Sequence, residues 1–468
     1  MQRLSGLDAT FLYLETPRNH MHVASAVIFD PSTVPGGYSF EKVRALVEAR
    51  LPLLPPFRRR LVEVPFQIHH PLWVEDPDFD LDYHVRRAGL PAPGGHDELA
   101  QFAEDFIARP LARTRPLWET VVVEGLEGGM IALVGKTHHA AIDGVSGAEM
   151  LVNLLDLQPE PTPVAEPDTW EPERIPTEVE MLGFAVTSLA RQPLAAVKSF
   201  RRTMEMALTL RRRNREPGVN PPPALMSAPR TSLNTSITPH RRVAFAEVSL
   251  EDVKAVKNAL GGTVNDVVLA LCSSALRSYL VDNEELPDRS LVAMVPISVR
   301  TEDQRGAMGN QVSSMLVSLA TDVADPVERF RAVTEATRQA KEQDRAVGAQ
   351  SLMDWTEFAA PAVAARAARL YSNMRIADRH NPFFNVTISN VPGPNFPLYC
   401  AGARMLALYP MGPIFDGAGL NITVMSYMGG MHFGLVACRE TVARVWDIAH
   451  GLGDALEELK KAAATATP

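Results

Sequence analysis

Residues 158–177 read QPEPTPVAEPDTWEPERIPT, and residues 216–230 read EPGVNPPPALMSAPR. Each proline removes a backbone donor and fixes φ, so neither stretch can continue a helix or lie inside a sheet. A chain interrupted in this way has to build one body before the breaks and another after them. Before them, β-like runs (HVASAVIFD, ETVVVEGL, MIALVGKT) alternate with helical stretches (FEKVRALVEARL, HDELAQFAEDFIARPLA). After them the alternation resumes. RVAFAEVSL, SLVAMVPISVR, NQVSSMLVSLA, FFNVTISNV and MHFGLVAC read as strands, and residues 251–260, 264–281, 326–342 and 441–463 as helices. The expected division is a mixed α/β domain over 1–157, a proline-rich and helical connector over 158–241, and a second α/β domain over 242–468. Two such halves invite a ligand cleft between them.

The 468 residues are 46% hydrophobic, enough for two cores, and the formal net charge of -9 excludes the basic face a nucleic-acid partner would need. Cys272, Cys400 and Cys438 are too few and too scattered for a disulfide framework or a zinc site, which reads as an intracellular chain. The opening MQRLSGLDATFLYLETP carries acids early and is not a secretory signal. No uninterrupted apolar run approaches the roughly eighteen residues of a spanning helix, so any membrane contact is expected to be peripheral.

KTHHAAIDGVSG, residues 136–147, concentrates the chemistry. IALVGKT before it reads as a strand and VSGAEMLVNLLDL after it as an amphipathic helix, which places His138 to Gly144 on a strand-to-helix turn. At this chain's residue frequencies, His-His-x3-Asp-Gly arises by chance in roughly one chain per thousand, which favours function over an incidental loop pair. Adjacent histidines diverge, and no HExxH or CxxC completes a coordination shell, so no metal is expected. Ser146 lacks the second spacer of a Gly-x-Ser-x-Gly elbow and suits a helix cap. An imidazole titrating near pH 6.5 can take a proton from a hydroxyl and return it to a leaving group. Asp143 would serve best by pairing with an arginine and locking the turn, and Gly144 would permit close backbone approach.

His138-His139-Ala140-Ala141-Ile142-Asp143-Gly144 resembles the HHxxxDG signature of the superfamily that includes chloramphenicol acetyltransferase and condensation domains. Over nearly its whole length the chain resembles the bacterial wax ester synthase/diacylglycerol acyltransferase family. LSGLDATFLYLETPRNHMHV, RPLWE, TVNDVVLA, VPISVR, MGNQVS, ISNVPGP and GPIFDGAGLNI fall in that family's order, with Gly6 where many relatives carry proline.

The resemblance implies two chloramphenicol-acetyltransferase-like α/β domains around a central cleft, joined by a long crossover. It implies His139 as general base, Asp143 as a structural residue, and His138 as a residue that orients its neighbour or shapes the acyl channel. The implied reaction moves a long-chain acyl group from acyl-CoA, a substrate rather than a cofactor, to diacylglycerol or a fatty alcohol. Asn265, Ser389 and Asn390 are candidates to steady the oxyanion, although each could equally bond a neighbouring loop and Asn265-Asp266 could cap the helix running on to Leu280. Arg300 is expected to pair with a carboxylate inside the fold; its alternative is a surface arginine.

A serine esterase using Ser146 and a non-catalytic lipid-binding protein are the competing functions. The expected location is cytoplasmic, against the inner membrane face or lipid droplets. The expected contact is segment 179–215, with Met181, Leu182, Phe184, Val186 and Leu189 as apolar anchors and Arg201, Arg202, Arg211, Arg212, Arg213 and Arg215 as a basic end. The alternative there is a plain connector.

Overall fold

The computed structural model describes residues 2–142, 150–162, 173–189, 223, 226–298, 312–347 and 361–465. Two six-stranded mixed sheets carry the architecture, and a small antiparallel sheet of Gln2–Arg3, Leu72–Glu75 and Arg59–Val62 stands beside them.

The first large sheet runs Tyr399–Cys400, Ala403–Met411, His22–Asp30, Ile131–His138, Trp118–Glu124, Val85–Gly89 in spatial order. Two of these strands come from beyond residue 242. Ala403–Met411 pairs antiparallel with His22–Asp30, from Arg404 opposite Asp30 to Met411 opposite Ala24, so residues 1–157 do not build this sheet alone. The strand Ile131–His138 is covered on both faces, which is why it reads as an unbroken apolar run. Ile131 and Leu133 enter one apolar cluster with Phe29 and Val43, while Ala132 and Val134 enter another with Phe106 and Phe245.

The second large sheet runs Val312–Ser318, Val292–Ser298, Val386–Val391, Leu420–Tyr427, Gly430–Cys438, Arg241–Ser249. The helices Val264–Asp282 and Val445–Thr465 pack on each other and on this sheet's core. Val264–Asp282 is long and apolar enough to cross a bilayer by composition, yet it is a mostly buried core helix. Thr263 starts it as N-cap, with Asp266 closing a capping box.

The anticipated strands and helices recur within a few residues of their expected bounds wherever they are described. Sequence reasoning passed over the helices Gly6–Leu14 and Pro361–Asn373 and the strands Ala403–Met411 and Leu420–Tyr427. The first helix is capped by Ser5, whose Oγ accepts from the Asp8 amide at 3.1 Å. The start of the connector, Glu178–Leu189, is helical as expected, but Met181 is buried against Val64 and cannot serve as an exposed lipid anchor. The side chains of Phe184, Val186 and Leu189, and all of Arg201 to Arg215, lie outside the described residues.

Candidate active site

The strand Ile131–His138 ends in a turn tied to its neighbours on both sides. His138 N–H donates to Leu117 O (2.9 Å), His139 N–H to Met21 O (2.7 Å) and Ala141 N–H to His138 O (2.9 Å). The two histidines then part in role. His138 is buried, and its Nδ1 accepts from Ala140 N–H at 3.0 Å. That bond fixes the lone pair on Nδ1 and the proton on Nε2. Nε2 lies 3.8 Å from Glu15 Oε2. Burial, then the nearby Arg113, His139 and His20, hold this imidazole well below its ordinary range, so it stays neutral. His139 is half-buried instead, and its ring stacks on Phe11 with centroids 4.2 Å apart and planes at 10°.

Phe11 and Glu15 stand four residues apart, so both reach the histidine turn from one side of the N-terminal helix and its C-cap. The Arg113 guanidinium holds the Glu15 carboxylate through Nη2 (2.7 Å) and Nε (3.2 Å). Burial outweighs that partner and raises the carboxyl above its usual value. His22 sits opposite His138 in register and its Nε2 is 4.0 Å from Glu15 Oε1. Burial keeps His22 neutral too, and neither of its ring nitrogens has a hydrogen-bond partner among the described residues.

His20 and Lys136 do a different task at the end of helix His96–Ile107, whose last carbonyls lack intrahelical donors. Lys136 Nζ donates to Phe106 O (3.0 Å) and Arg109 O (2.8 Å), and His20 Nε2 donates to Ala108 O (3.0 Å). Burial brings Lys136 down to about 8 and His20 to about 4. His20 and His22, with Arg241 and Met411, line a small pocket of about 20 Å³, room for one water-sized guest.

Among the described residues, Glu15, His20 and His22 have ligand atoms within 4.8 Å of one another and form a group that could hold a metal. Arg113 already holds Glu15, and Lys136 and Arg241 add positive charge to the histidines, so the surroundings oppose a cation and suit a neutral guest.

A second polar cluster forms in the other half. In the capping box Asp266 takes the Thr263 amide (2.8 Å), so Asp266 rather than Asn265 closes the helix start. Asn265 Oδ1 instead accepts from Asn390 Nδ2 at 3.4 Å. Asn390 and Ser389 are half-buried neighbours on strand Val386–Val391, and the next residue, Val391, joins the apolar cluster that contains Leu133 of the histidine strand. The structure thus brings Asn265 and Asn390 together across 125 residues of chain. Asp143, Gly144, Ser146 and Arg300 lie outside the described residues. Phe11, Glu15, His22 and Arg113 were missed by sequence reasoning; the four-residue Phe11–Glu15 spacing and the repeated histidines of NHMHV were the available signals.

Residues 4–268 match the model of the wax ester synthase/diacylglycerol acyltransferase catalytic domain, and residues 308–460 match that family's C-terminal domain. Among curated proteins, one of Mycobacterium tuberculosis (strain H37Rv) named for diacylglycerol O-acyltransferase activity is 38% identical over 464 residues, covering 98% of this chain and 90% of the relative. Another from the same strain, similarly named, is 39% identical over 476 residues, covering 100% and 99%. Among solved structures, the wax ester synthase/diacylglycerol acyltransferase of Marinobacter aquaeolei VT8 matches with a TM-score of 0.68 at 31% identity, over 99% of this chain and 100% of that one. The starter condensation domain of rhizomide synthetase, in complex with C8-CoA and Leu-SNAC, matches with a TM-score of 0.58 at 13% identity, over 100% and 95%, a likeness of fold.

Proposed function

The chain belongs to the wax ester synthase/diacylglycerol acyltransferase family, and from that premise we propose that it transfers a long-chain acyl group from acyl-CoA to diacylglycerol, forming triacylglycerol. Fatty alcohols are the second acceptor class, giving wax esters. His139 takes the proton of the acceptor hydroxyl as that oxygen attacks the thioester carbonyl. The tetrahedral intermediate collapses, the carbon–sulfur bond breaks, and the His139 imidazolium returns the proton to the leaving CoA thiolate. No acyl-enzyme forms, and the scheme requires no cofactor.

The observation that carries this reading is the unequal placement of the two histidines. His138 is buried, spends Nδ1 on a backbone amide and points Nε2 at Glu15, whereas His139 is half-open on an aromatic platform. His138 is then a positioning residue. Asn265 and Asn390, already linked, and Ser389 beside them supply donors of the kind a developing oxyanion needs. Asp143, Gly144 and Arg300 keep the structural roles that the family motif implies. Lipid acceptors place the enzyme in the cytoplasm, peripherally on a membrane or lipid-droplet surface.

The test is release of CoA thiol and formation of labelled product from labelled long-chain acyl-CoA with diacylglycerol, monoacylglycerol and fatty alcohol. Diacylglycerol-dependent product, insensitive to serine-directed phosphonates and to alkylation of the buried Cys272, Cys400 and Cys438, is expected. Phosphonate labelling of Ser146 with loss of activity would favour an esterase.

A further inference from the structure

Helix Pro361–Asn373 wears its apolar side outward. Its inner alanines, Ala364 and Ala365, pack on the cluster of the N-terminal helix and Ala140. Val363 and Leu370, seven residues apart on one side, and Met374, in the turn just past the helix end, are 66%, 56% and 45% exposed. The tip of the small-sheet hairpin, residues 65–67, touches this same helix. It carries Phe66, 84% exposed and held at φ 59, in the left-handed region that a phenylalanine rarely occupies. Arg366 and Arg369 on the helix and Arg375 in the turn after it are exposed, and none of the three is in an ion pair among the described residues. An exposed apolar strip of this kind on a soluble body marks an interaction surface.

We propose that this face, the outward stripe of helix Pro361–Asn373 with Phe66 and the three arginines, docks the enzyme on an anionic lipid surface. The proposal rests on the lipid-acceptor reading and names the face through which it operates. Charge complementarity selects the partner: a basic, apolar strip on a chain of net charge -9 is drawn to negative headgroups while the rest of the body is repelled. Position supports it. The helix lies directly on Gly6–Leu14, whose Phe11 stacks on His139, so a lipid entering beneath it is one helix away from the base. Apolar side chains enter the headgroup boundary and the arginines stay at its level.

The full chain is floated with vesicles of phosphatidylcholine alone and of phosphatidylcholine mixed with phosphatidylglycerol, at low and high salt. Wild type should float with the anionic vesicles, less so at high salt. Leu370→Glu with Met374→Glu, and separately Arg366→Glu with Arg369→Glu, should each lower partitioning by about tenfold or more. A Leu370→Trp variant should shift its emission to the blue on adding anionic vesicles. Each variant should retain wild-type turnover of a short-chain acyl-CoA with a water-soluble alcohol. Loss of that soluble activity in the wild type would refute the transferase reading and leave flotation to be judged by itself. The docking proposal is overturned if wild type does not float, or if the folded variants float like wild type, in which case another segment carries the contact. A concentration-dependent dimer abolished by Leu370→Glu, without vesicle binding, would overturn it as well.

Discussion

An asparagine network at the end of the second sheet and the histidine end of the first bury polar groups on opposite terms. Asn385 Nδ2 donates to Pro229 O (2.6 Å) and Asn234 Oδ1 (2.7 Å), its Oδ1 accepts from Val292 N–H (2.8 Å), and Asn234 Nδ2 donates to Gly417 O (2.8 Å). That network is closed and ties three loops to a strand. At the end of the first sheet His22 has neither ring nitrogen paired among the described residues, and His20 Nδ1 and His138 Nε2 are likewise open. Buried polar atoms without partners are costly. On the proposed function, the closed network serves stability and the open histidines serve the site.

Substitutions should separate the two. Asn385→Ala should have the largest effect on stability, about 3 kcal/mol or more, because it strands the Val292 amide and the Pro229 carbonyl together. Urea unfolding should show it, with turnover per folded molecule near wild type. His22→Leu should do the reverse. It removes unpaired buried nitrogens in favour of hydrocarbon, so the unfolding midpoint should hold or rise while turnover falls; a large loss of stability would show His22 to be a structural group.

Acid should widen the contrast. His20, His22 and His138 bind protons less well folded than unfolded. Above pH 6.5 neither state is charged and they contribute nothing. Below it the unfolded chain takes up protons that the folded one refuses, so stability falls as pH drops, by up to about 1.4 kcal/mol per pH unit for each histidine. Unfolding free energies between pH 7 and pH 5 should decline in wild type and decline less steeply in His22→Leu. Equal slopes would mean that His22 accepts a proton in the folded state.

The smallest expected effect is at the platform. Phe11→Leu leaves His139 without its parallel ring, so the imidazole is held less firmly and turnover should drop a few-fold with stability near wild type. Unchanged turnover would reduce Phe11 to packing.

Much of this was readable from residues alone. HVASAVIFD became the strand His22–Asp30 without adjustment, because its apolar run has no helical period. The HHxxxDG string located the turn. Ala403–Met411 escaped because Pro410 and an irregular alternation hide a strand whose partner is more than 370 residues earlier in the chain. Glu15 and His22 escaped for a related reason. Nothing local marks two residues as neighbours of His138 until strand register and helix packing bring them there. The Asn265–Asn390 contact was anticipated only as two separate polar residues in apolar runs. Met181 shows the opposite error, since a residue that suits a lipid anchor by type is spent on Val64.

The central claim is that His139, and not its buried neighbour, moves the proton. The most direct measurement compares turnover of labelled acyl-CoA with diacylglycerol in two folded variants, His139→Ala and His138→Asn, the second keeping an acceptor for the Ala140 amide. His139→Ala should lose about 10²–10⁴ in turnover, the usual contribution of a positioned general base, while His138→Asn should lose less than about tenfold, the scale of one hydrogen bond re-made in altered geometry. Wild-type turnover in folded His139→Ala, or a His138→Asn enzyme as dead as His139→Ala, would contradict the account.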